Sequence, residues 1–265
     1  MKVFRSGNAV LLLAATVLGS TVAAAQTVRD PRYHRQDPQD QQGQQGQQGQ
    51  RGERGEHDRN NDQRDSRWTQ QQQQARIDEN RRRQSDYERV LDQRMRDARE
   101  QQAHLQQQRR MAAYEEQQRY YAHLQAQRAR MRSERDYNID PYYDDLPTYS
   151  YRVGNTIRVT SEYGADLLEQ AVTYGYDQGV HVGRADRLDR RVSSYRSTFA
   201  YQDANYGYAG QYVSQNDYNY FFREGFRRGY TDGYGSRSQY GSFNNGSGSI
   251  LANVLSGILG LTNLR

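Results

Sequence analysis

Histidine and carboxylate side chains are the first candidates for chemistry in this 265-residue chain, which has five histidines and no cysteine. His181 is the only histidine within the glycine- and tyrosine-rich part of the sequence, and Asp177 and Asp186 are near enough along the chain to orient its ring. These are the residue types of a general acid–base site, but a packed or solvated histidine fits the same pattern. We favour the packed histidine and keep an enzyme that uses His181 as a third hypothesis.

Metal ligands and nucleophiles are not indicated by spacing. His104 and His123 lack a companion at ligand distance along a helix, so we expect both to be surface residues. Asp136, Asn138 and Asp140 imitate the start of a calcium loop, but prolines replace the turn glycine and the bidentate glutamate. Zinc-binding helices, phosphate-binding glycine loops and nucleophile elbows are not found in the sequence. We therefore expect no metal, no cofactor and no catalytic residue.

Arginine carries nearly all of the positive charge, because Lys2 is the only lysine in a chain of net charge +5. Guanidinium groups grip carboxylates and phosphates in a bidentate way and stack on aromatic rings, although a GC-rich genome produces the same bias without function. Residues 66–135 hold sixteen arginines and ten acids, which is compatible with an anionic partner. Residues 150–241 hold eleven arginines and ten acids, a balance that argues against a specific nucleic-acid groove.

Two segments place a small residue at every fourth position, so that each would present a bare stripe on one helix face. The first stripe is Ala171, Gly175, Gly179 and Gly183. The second is Gly225, Gly229 and Gly233, flanked by Phe222, Phe226, Tyr230 and Tyr234. Three internal glycines cost a helix about 3 kcal/mol relative to alanine, whereas burying each large side chain yields about 1.5 to 3 kcal/mol.

Burial therefore outweighs the glycine cost if a partner surface exists. The natural partner of one stripe is the other, because small residues let two helix backbones approach closely. We predict a mainly helical Gly-Tyr domain over residues 149–241. The alternative is a set of glycine-rich loops with no fixed fold.

The start of this domain has hairpin and capping signals. Residues 149–153 and 156–160 alternate around Gly154-Asn155, which predicts a short hairpin with a type II′ turn. Ser161 is then placed to cap the helix that carries the first stripe. Residues 195–213 repeat the small-plus-aromatic theme more weakly.

The order of these motifs resembles a recurring domain of small exported bacterial proteins with Gly-Tyr repeats. The resemblance rests on Gly175-Tyr176-Asp177, Gly183-Arg184, Tyr206-Gly207-Tyr208 and the second stripe, and it covers about 70 residues, from Ala171 to Tyr240. It implies a genuine domain and no particular activity. The arginine-rich segment before it and the apolar tail lie outside the resemblance.

Residues 1–25 have the pattern of a signal peptide. Lys2 and Arg5 are followed by an apolar run over residues 9–19 and by Ala23-Ala24-Ala25. The run is shorter than the ~20 residues that a spanning helix needs, and the chain has no cysteine for lipid attachment. We expect export by a Sec-type signal peptide to the periplasm or beyond the cell, and not a lipoprotein.

Three segments precede the Gly-Tyr domain. Residues 26–65 are rich in glutamine and glycine and predict a disordered tether. Residues 66–136 are rich in arginine and glutamine, and Ser85 with Glu88 has capping-box spacing, which predicts a helical rod from about Asp86 to Arg135, solitary or loosely paired. Residues 137–148 form an acidic, tyrosine-rich linker.

The end of the chain is apolar. Residues 242–248 are expected to be a linker, and residues 249–265 an amphipathic helix capped by Ser249. Because this helix is too short to span a bilayer, we expect it to dock on the Gly-Tyr domain or to self-associate. Peripheral membrane contact through the same residues is the alternative.

These elements predict a mainly α protein with long disordered segments, a polar helical rod and a small glycine-striped domain with a short β-hairpin. We expect an exported, non-enzymatic cell-envelope protein that acts through helix packing or self-association, with itself or another envelope protein as partner. The alternative is arginine-mediated binding of an anionic envelope polymer, such as polysaccharide, lipopolysaccharide or extracellular DNA.

Overall fold

The computed structural model describes residues 70–133, 145–210, 212–244 and 246–264. In these ranges the chain forms six α-helices, one 3₁₀ turn and five short strands, so the mainly helical fold with a β-hairpin is confirmed. The predicted signal peptide, the tether and most of the acidic linker lie outside the described residues. No helix in the described part of the chain is long and apolar enough to cross a membrane.

The arginine-rich segment is not one rod. Helix α1 spans Gln70–Gln107 and helix α2 spans Met111–Ser133, and the two pack against each other as a helical hairpin. Ser85 lies inside α1, so its capping-box spacing with Glu88 was a wrong indication of the helix start. Leu91, Ala98 and Leu105 recur every seven residues along α1, and all three are buried.

The break between α1 and α2 is stabilised by a distant part of the chain. Arg109 adopts the left-handed conformation, with φ 54°, although neither glycine nor proline marks the turn. The carboxylate of Asp189 accepts the amide hydrogens of Ala112 (3.1 Å) and Ala113 (2.9 Å) and so caps the N-terminus of α2. A cap that comes from 76 residues away leaves no local pattern, which is why the sequence predicted a continuous helix.

The Gly-Tyr region begins with the predicted hairpin, in which strands β1 (Tyr149–Val153) and β2 (Thr156–Thr160) pair antiparallel. Gly154 has φ +58°, as the first central position of a type II′ turn requires. Helix α3 spans Glu162–Leu188, and the Ser161 hydroxyl accepts the amide hydrogen of Gly164 at 3.2 Å, which confirms the predicted cap.

Helix α5 (Gln215–Gly235) packs along α3, and the chain between them contains a 3₁₀ turn at Tyr195–Ser197 and the short helix α4 at Phe199–Asp203. The two long helices run parallel, because successive turns of α3 meet successive turns of α5 in the same order. The connection therefore crosses back along the body, and its Ala200, Ala204 and Tyr208 join the core.

The C-terminal segment differs from the predicted linker and single helix. Residues Gly241–Asn244 (β3) and Ser247–Ile250 (β4) form a second hairpin, α6 spans only Ala252–Leu259, and Thr262–Asn263 (β5) adds a third strand to β1. One glycine of the predicted linker instead allows close packing: a Cβ atom at Gly248 would lie 3.2 Å from the Cα atom of Asp177 and 3.3 Å from the ring of Tyr176. Leu251, not Ser249, precedes the helix.

One hydrophobic core joins these elements. It includes Leu91 from α1, Leu124 from α2, Leu168 from α3 and Phe222 from α5, none of which is exposed, and Leu259 from α6, which is 4% exposed. The helical hairpin and the Gly-Tyr region are therefore parts of one packed body.

Candidate functional site

The glycine stripes lie at the contact between α3 and α5. A Cβ atom at Gly175 would lie 2.8 Å from the carbonyl carbon of Phe222, one at Gly179 would lie 2.7 Å from the amide nitrogen of Tyr230, and one at Gly183 would lie 2.8 Å from the amide nitrogen of Tyr234. Real Cβ atoms do not approach backbone so closely. The stripe of α3 therefore packs directly on the backbone of α5.

The second stripe, on α5, packs in the same way on the backbone of α3. Gly225 and Gly229 lie against the backbone of Tyr176, and Gly233 lies against that of Val180, each with less than 3.0 Å for an added Cβ atom. Ala171, at the start of the first stripe, is fully buried. These small residues are used inside the body, so none of them presents a bare face to an external partner.

The aromatic residues beside the second stripe form a ladder. The rings of Phe222, Phe226, Tyr230 and Tyr234 follow one another with centroid distances of 6.1, 6.3 and 5.9 Å. Phe222, Phe226 and Tyr230 are essentially inaccessible, whereas Tyr234 is partly exposed. The hydroxyl of Tyr234 donates to the carbonyl oxygen of Arg191 at 2.7 Å, which ties the end of the ladder to the loop after α3.

Buried tyrosine hydroxyls pair with buried aspartates at two places between α3 and α5. Tyr176 donates to Asp232 at 2.9 Å and Tyr230 donates to Asp186 at 2.7 Å. Burial, followed by the hydrogen bond to the carboxylate, raises the pKa of both phenols. These tyrosines therefore stay protonated and act as hydrogen-bond donors.

A third pair ties the first hairpin to α5. Tyr151 on β1 donates to Asp217 at 2.9 Å, and Arg158 on β2 lies 3.3 Å from the same carboxylate. Burial and the hydrogen bond raise the pKa of Tyr151. The sequence reveals tyrosine richness but not which aspartate each hydroxyl meets.

His181 is packed among polar groups on α3. Its Nε2 lies 3.0 Å from the carbonyl oxygen of Gly246 and 3.6 Å from Asp177, and its Nδ1 lies 3.6 Å from Glu116 and 3.3 Å from Arg119. Burial lowers the pKa of the ring, but the hydrogen bond with Glu116 and the charge of Asp177 outweigh burial, so the pKa is raised.

Asp186, the other carboxylate expected to orient His181, does not contact it. It pairs instead with Arg110 and Tyr230. Asp177 accepts the amide hydrogen of Gly248 at 2.6 Å, so its carboxylate also holds the second hairpin. A histidine with a raised pKa and these partners is suited to joining α2, α3 and the β3–β4 hairpin.

A buried ion pair that sequence reasoning missed joins α1 to α4. Arg94 donates from two guanidinium nitrogens to the two oxygens of Asp203, each at 2.7 Å, and both side chains are 6% exposed. Tyr120 on α2 also donates to Asp203, and Arg94 donates to the hydroxyl of Tyr87 at 3.1 Å. In the sequence Arg94 is one of many arginines in this segment, and its neighbours do not indicate a buried partner.

His123, expected on the surface, is packed. Its ring is stacked on Tyr206 with a centroid distance of 3.6 Å and an interplanar angle of 12°. Burial, together with the charges of Arg94 and Arg130, lowers its pKa to about 3. His104, by contrast, is exposed as expected.

Comparison with protein-family models, with curated proteins and with solved structures found no match to this chain. Within the described ranges, no group of three or more histidine and carboxylate side chains is arranged to hold a metal ion. The site residues define a packed helix pair, and the resemblance to Gly-Tyr-repeat proteins stays a prediction.

Proposed function

We propose that this chain is an exported, non-enzymatic protein of the cell envelope, whose helical body serves as a structural or interaction module. The observation that carries the proposal is the use of both glycine stripes, together with the tyrosine–aspartate pairs, to hold α3 and α5 together. Four side chains with acid–base chemistry, those of Tyr176, Asp186, Tyr230 and Asp232, are thereby committed to packing. A partner has to contact other surfaces.

The outer face of the first sheet is the surface that best suits self-association. Among the described residues β2 is an edge strand, and its Ile157 and Val159 point outward and are 64% and 55% exposed. An open edge with apolar side chains pairs readily with another strand, and the same edge in a second copy is self-complementary across a twofold axis. We propose a second copy of this chain as the occupant.

Light scattering after size exclusion tests this proposal on residues 26–265 over a range of concentrations. We expect an oligomer that dissociates in an Ile157→Lys/Val159→Lys variant, because two buried charges at an edge oppose pairing. Val90→Lys, on the exposed side of α1, is the matched control and should leave the oligomer intact.

A chain that is monomeric at every concentration would contradict self-association and leave docking on another envelope protein. Docking on another envelope protein is tested by capture from native envelope extracts, in which the same two variants are compared. A monomer that captures no envelope protein would overturn the proposal as a whole.

Binding of an anionic envelope polymer is a second candidate, favoured by the charge of the helical hairpin. Residues 70–133 carry fourteen arginines and nine acids, and Arg81, Arg82 and Arg83 are consecutive exposed residues on α1. Affinity for a soluble anionic polysaccharide should then fall steeply with added salt, because binding releases counterions. Affinity that is unchanged between low and physiological salt would exclude this candidate.

A further inference from the structure

The last residue of α3 and the loop that follows it hold two aliphatic side chains out in solvent. Leu188 is 70% exposed, and Val192, at 86%, is the most exposed large hydrophobic residue in the described part of the chain. Other apolar side chains are also exposed, among them Leu146 (78%), Ile157 (64%) and Val159 (55%), but these three lie on or just before the first sheet. Two neighbouring aliphatic residues that stand out in this way suit an apolar partner.

Arginines flank these two side chains along the chain. Arg184, Arg187, Arg190 and Arg191 belong to the last turns of α3 and to the loop. Arg109, in the turn between α1 and α2, is brought to the same end because its neighbour Arg110 pairs with Asp186. Arg184, Arg190, Arg191 and Arg109 are exposed, and Arg187 is half-buried.

The nearby acids do not cancel this charge, because they are turned inward. Asp186 is 3% exposed and is held by Arg110 and Tyr230. Asp189 accepts the two amide hydrogens at the start of α2. Glu115, on the second turn of α2, is the exposed acid closest along the chain to this contact.

The loop is held in place by the fold. Arg190 has a left-handed backbone, with φ 55°, and the amide of Arg191 donates to the carbonyl oxygen of Asp186 at 2.8 Å. The carbonyl oxygen of Arg191 accepts the hydroxyl of Tyr234 at 2.7 Å. The packing at the end of the aromatic ladder therefore fixes where Leu188 and Val192 project.

We propose that this surface, which we call the arginine–aliphatic end (Arg109, Arg184, Arg187, Leu188, Arg190, Arg191 and Val192), docks on an anionic lipid layer. Arginines contact the headgroup phosphates, and Leu188 and Val192 enter the boundary between headgroups and acyl chains. Single-stranded nucleic acid is bound on aromatic side chains, whereas the side chains that project here are aliphatic and, with the arginines around them in the sequence, suit the boundary between headgroups and acyl chains of a lipid layer. The inference is independent of self-association at the β2 edge.

Sedimentation with vesicles tests the proposal on residues 26–265. We expect binding to mixed phosphatidylcholine–phosphatidylglycerol vesicles and little binding to phosphatidylcholine alone. Arg190→Gln/Arg191→Gln and, separately, Leu188→Ser/Val192→Ser should each weaken the partition coefficient by about tenfold. All four side chains are exposed, so the fold should be unaffected, which circular dichroism checks.

Two matched controls test whether binding depends on this surface or only on the overall charge and hydrophobicity of the chain. Arg81→Gln/Arg82→Gln removes the same charge from α1, and Ile157→Ser/Val159→Ser removes two exposed aliphatic side chains from β2. Apart from the loss of non-specific charge attraction, each control variant should change the partition coefficient by less than about twofold.

Three results would overturn the proposal. Equal binding to neutral and anionic vesicles would remove the role of the arginines. Equal weakening by the controls and the tested variants would assign binding to the overall charge. The third result is that the chain binds a soluble anionic polysaccharide and not vesicles, and that Leu188→Ser/Val192→Ser leaves this binding unchanged. This end would then be assigned to a polymer.

Discussion

The absence of a Cβ atom is the property that each stripe glycine contributes. At Gly229 an added Cβ would lie 2.8 Å from the carbonyl carbon of Tyr176, which is backbone and cannot rotate away. Both helices would have to separate, and the aromatic and tyrosine–aspartate contacts between them would lengthen together. Close packing transmits such a shift along the whole interface.

Gly229→Ala should therefore lower the free energy of unfolding by about 1 to 2 kcal/mol, since overpacking by up to about 3 kcal/mol outweighs the ~1 kcal/mol gained in helix propensity. Gly257→Ala is the matched control, because Gly257 lies inside α6 and nothing is within 4 Å of its missing Cβ. That variant should be neutral or more stable by up to ~1 kcal/mol. Urea unfolding of both variants measures the difference, and equal effects would contradict the packing argument.

Protonation of His123 should destabilise the fold. Its pKa in the folded state is about 3 because of burial and then of Arg94 and Arg130, whereas the ordinary value is 6.5. A depressed pKa means that the unfolded chain binds the proton first, so stability is present above pH 6.5 and is lost as the pH falls toward 3.

Between pH 7 and pH 4 this residue alone should remove about 2 to 3 kcal/mol. His123→Phe keeps a ring on Tyr206 but cannot titrate. Unfolding free energies at several pH values should therefore show a shallower acid slope for His123→Phe than for the parent chain. Parallel slopes would mean that His123 is solvated.

Elements of this fold could be predicted where the sequence signal lies close in sequence to the structure that it produces. The four-residue repeat of glycine identified α3 and α5, and Ser161 identified a cap, because both signals lie within a few residues of the structure they produce. The rod failed for the opposite reason: its break depends on Asp189, and its packing depends on Asp203. Neither residue is near α1 or α2 in sequence, so periodicity could not place them.

The tyrosine–aspartate pairs show the same limit in the candidate site. Composition revealed many tyrosines, and helical spacing predicted which of them flank the stripes. The partners of their hydroxyl groups, Asp186 and Asp232, depend on how α3 and α5 are aligned. That alignment is set by contacts across the interface and leaves no mark on either helix alone.

The Arg94–Asp203 pair should control attachment of the helical hairpin. Arg94→Met leaves the Asp203 carboxylate buried without its guanidinium, which should cost about 3 to 5 kcal/mol. Arg128→Met is the matched control, since its pair with Asp92 is about one-third exposed on each side and should cost about 1 kcal/mol or less.

Thermal unfolding gives the cost, and limited proteolysis shows whether α1 and α2 are released first. An Arg94→Met/Asp203→Leu double variant should recover much of the loss, because no unpaired charge remains in the core. A double variant as unstable as Arg94→Met would show that packing, and not charge, dominates this contact.

At the scale of the whole described body, residues 262–264 close the first sheet. Strand β5 pairs with β1, and the amide of Leu264 donates to the carbonyl oxygen of Thr148 at 2.8 Å, so the end of the chain joins the start of the Gly-Tyr region. Helix α6 contacts both α3 and α5. The apolar tail thus packs back onto the same two long helices.

Truncation after residue 250 should therefore destabilise the entire body. Leu259 is 4% exposed in the shared core, so Leu259→Ala alone should cost about 2 to 4 kcal/mol. Leu251→Ala is the matched control: this side chain is 45% exposed and precedes α6, so its loss should cost about 1 kcal/mol or less. Melting curves of residues 26–265 compare the three variants. If truncation left the melting temperature unchanged but abolished binding to lipid vesicles, the tail would be a membrane contact. Its apolar residues would then serve membrane binding, and the packing of Leu259 would not explain them.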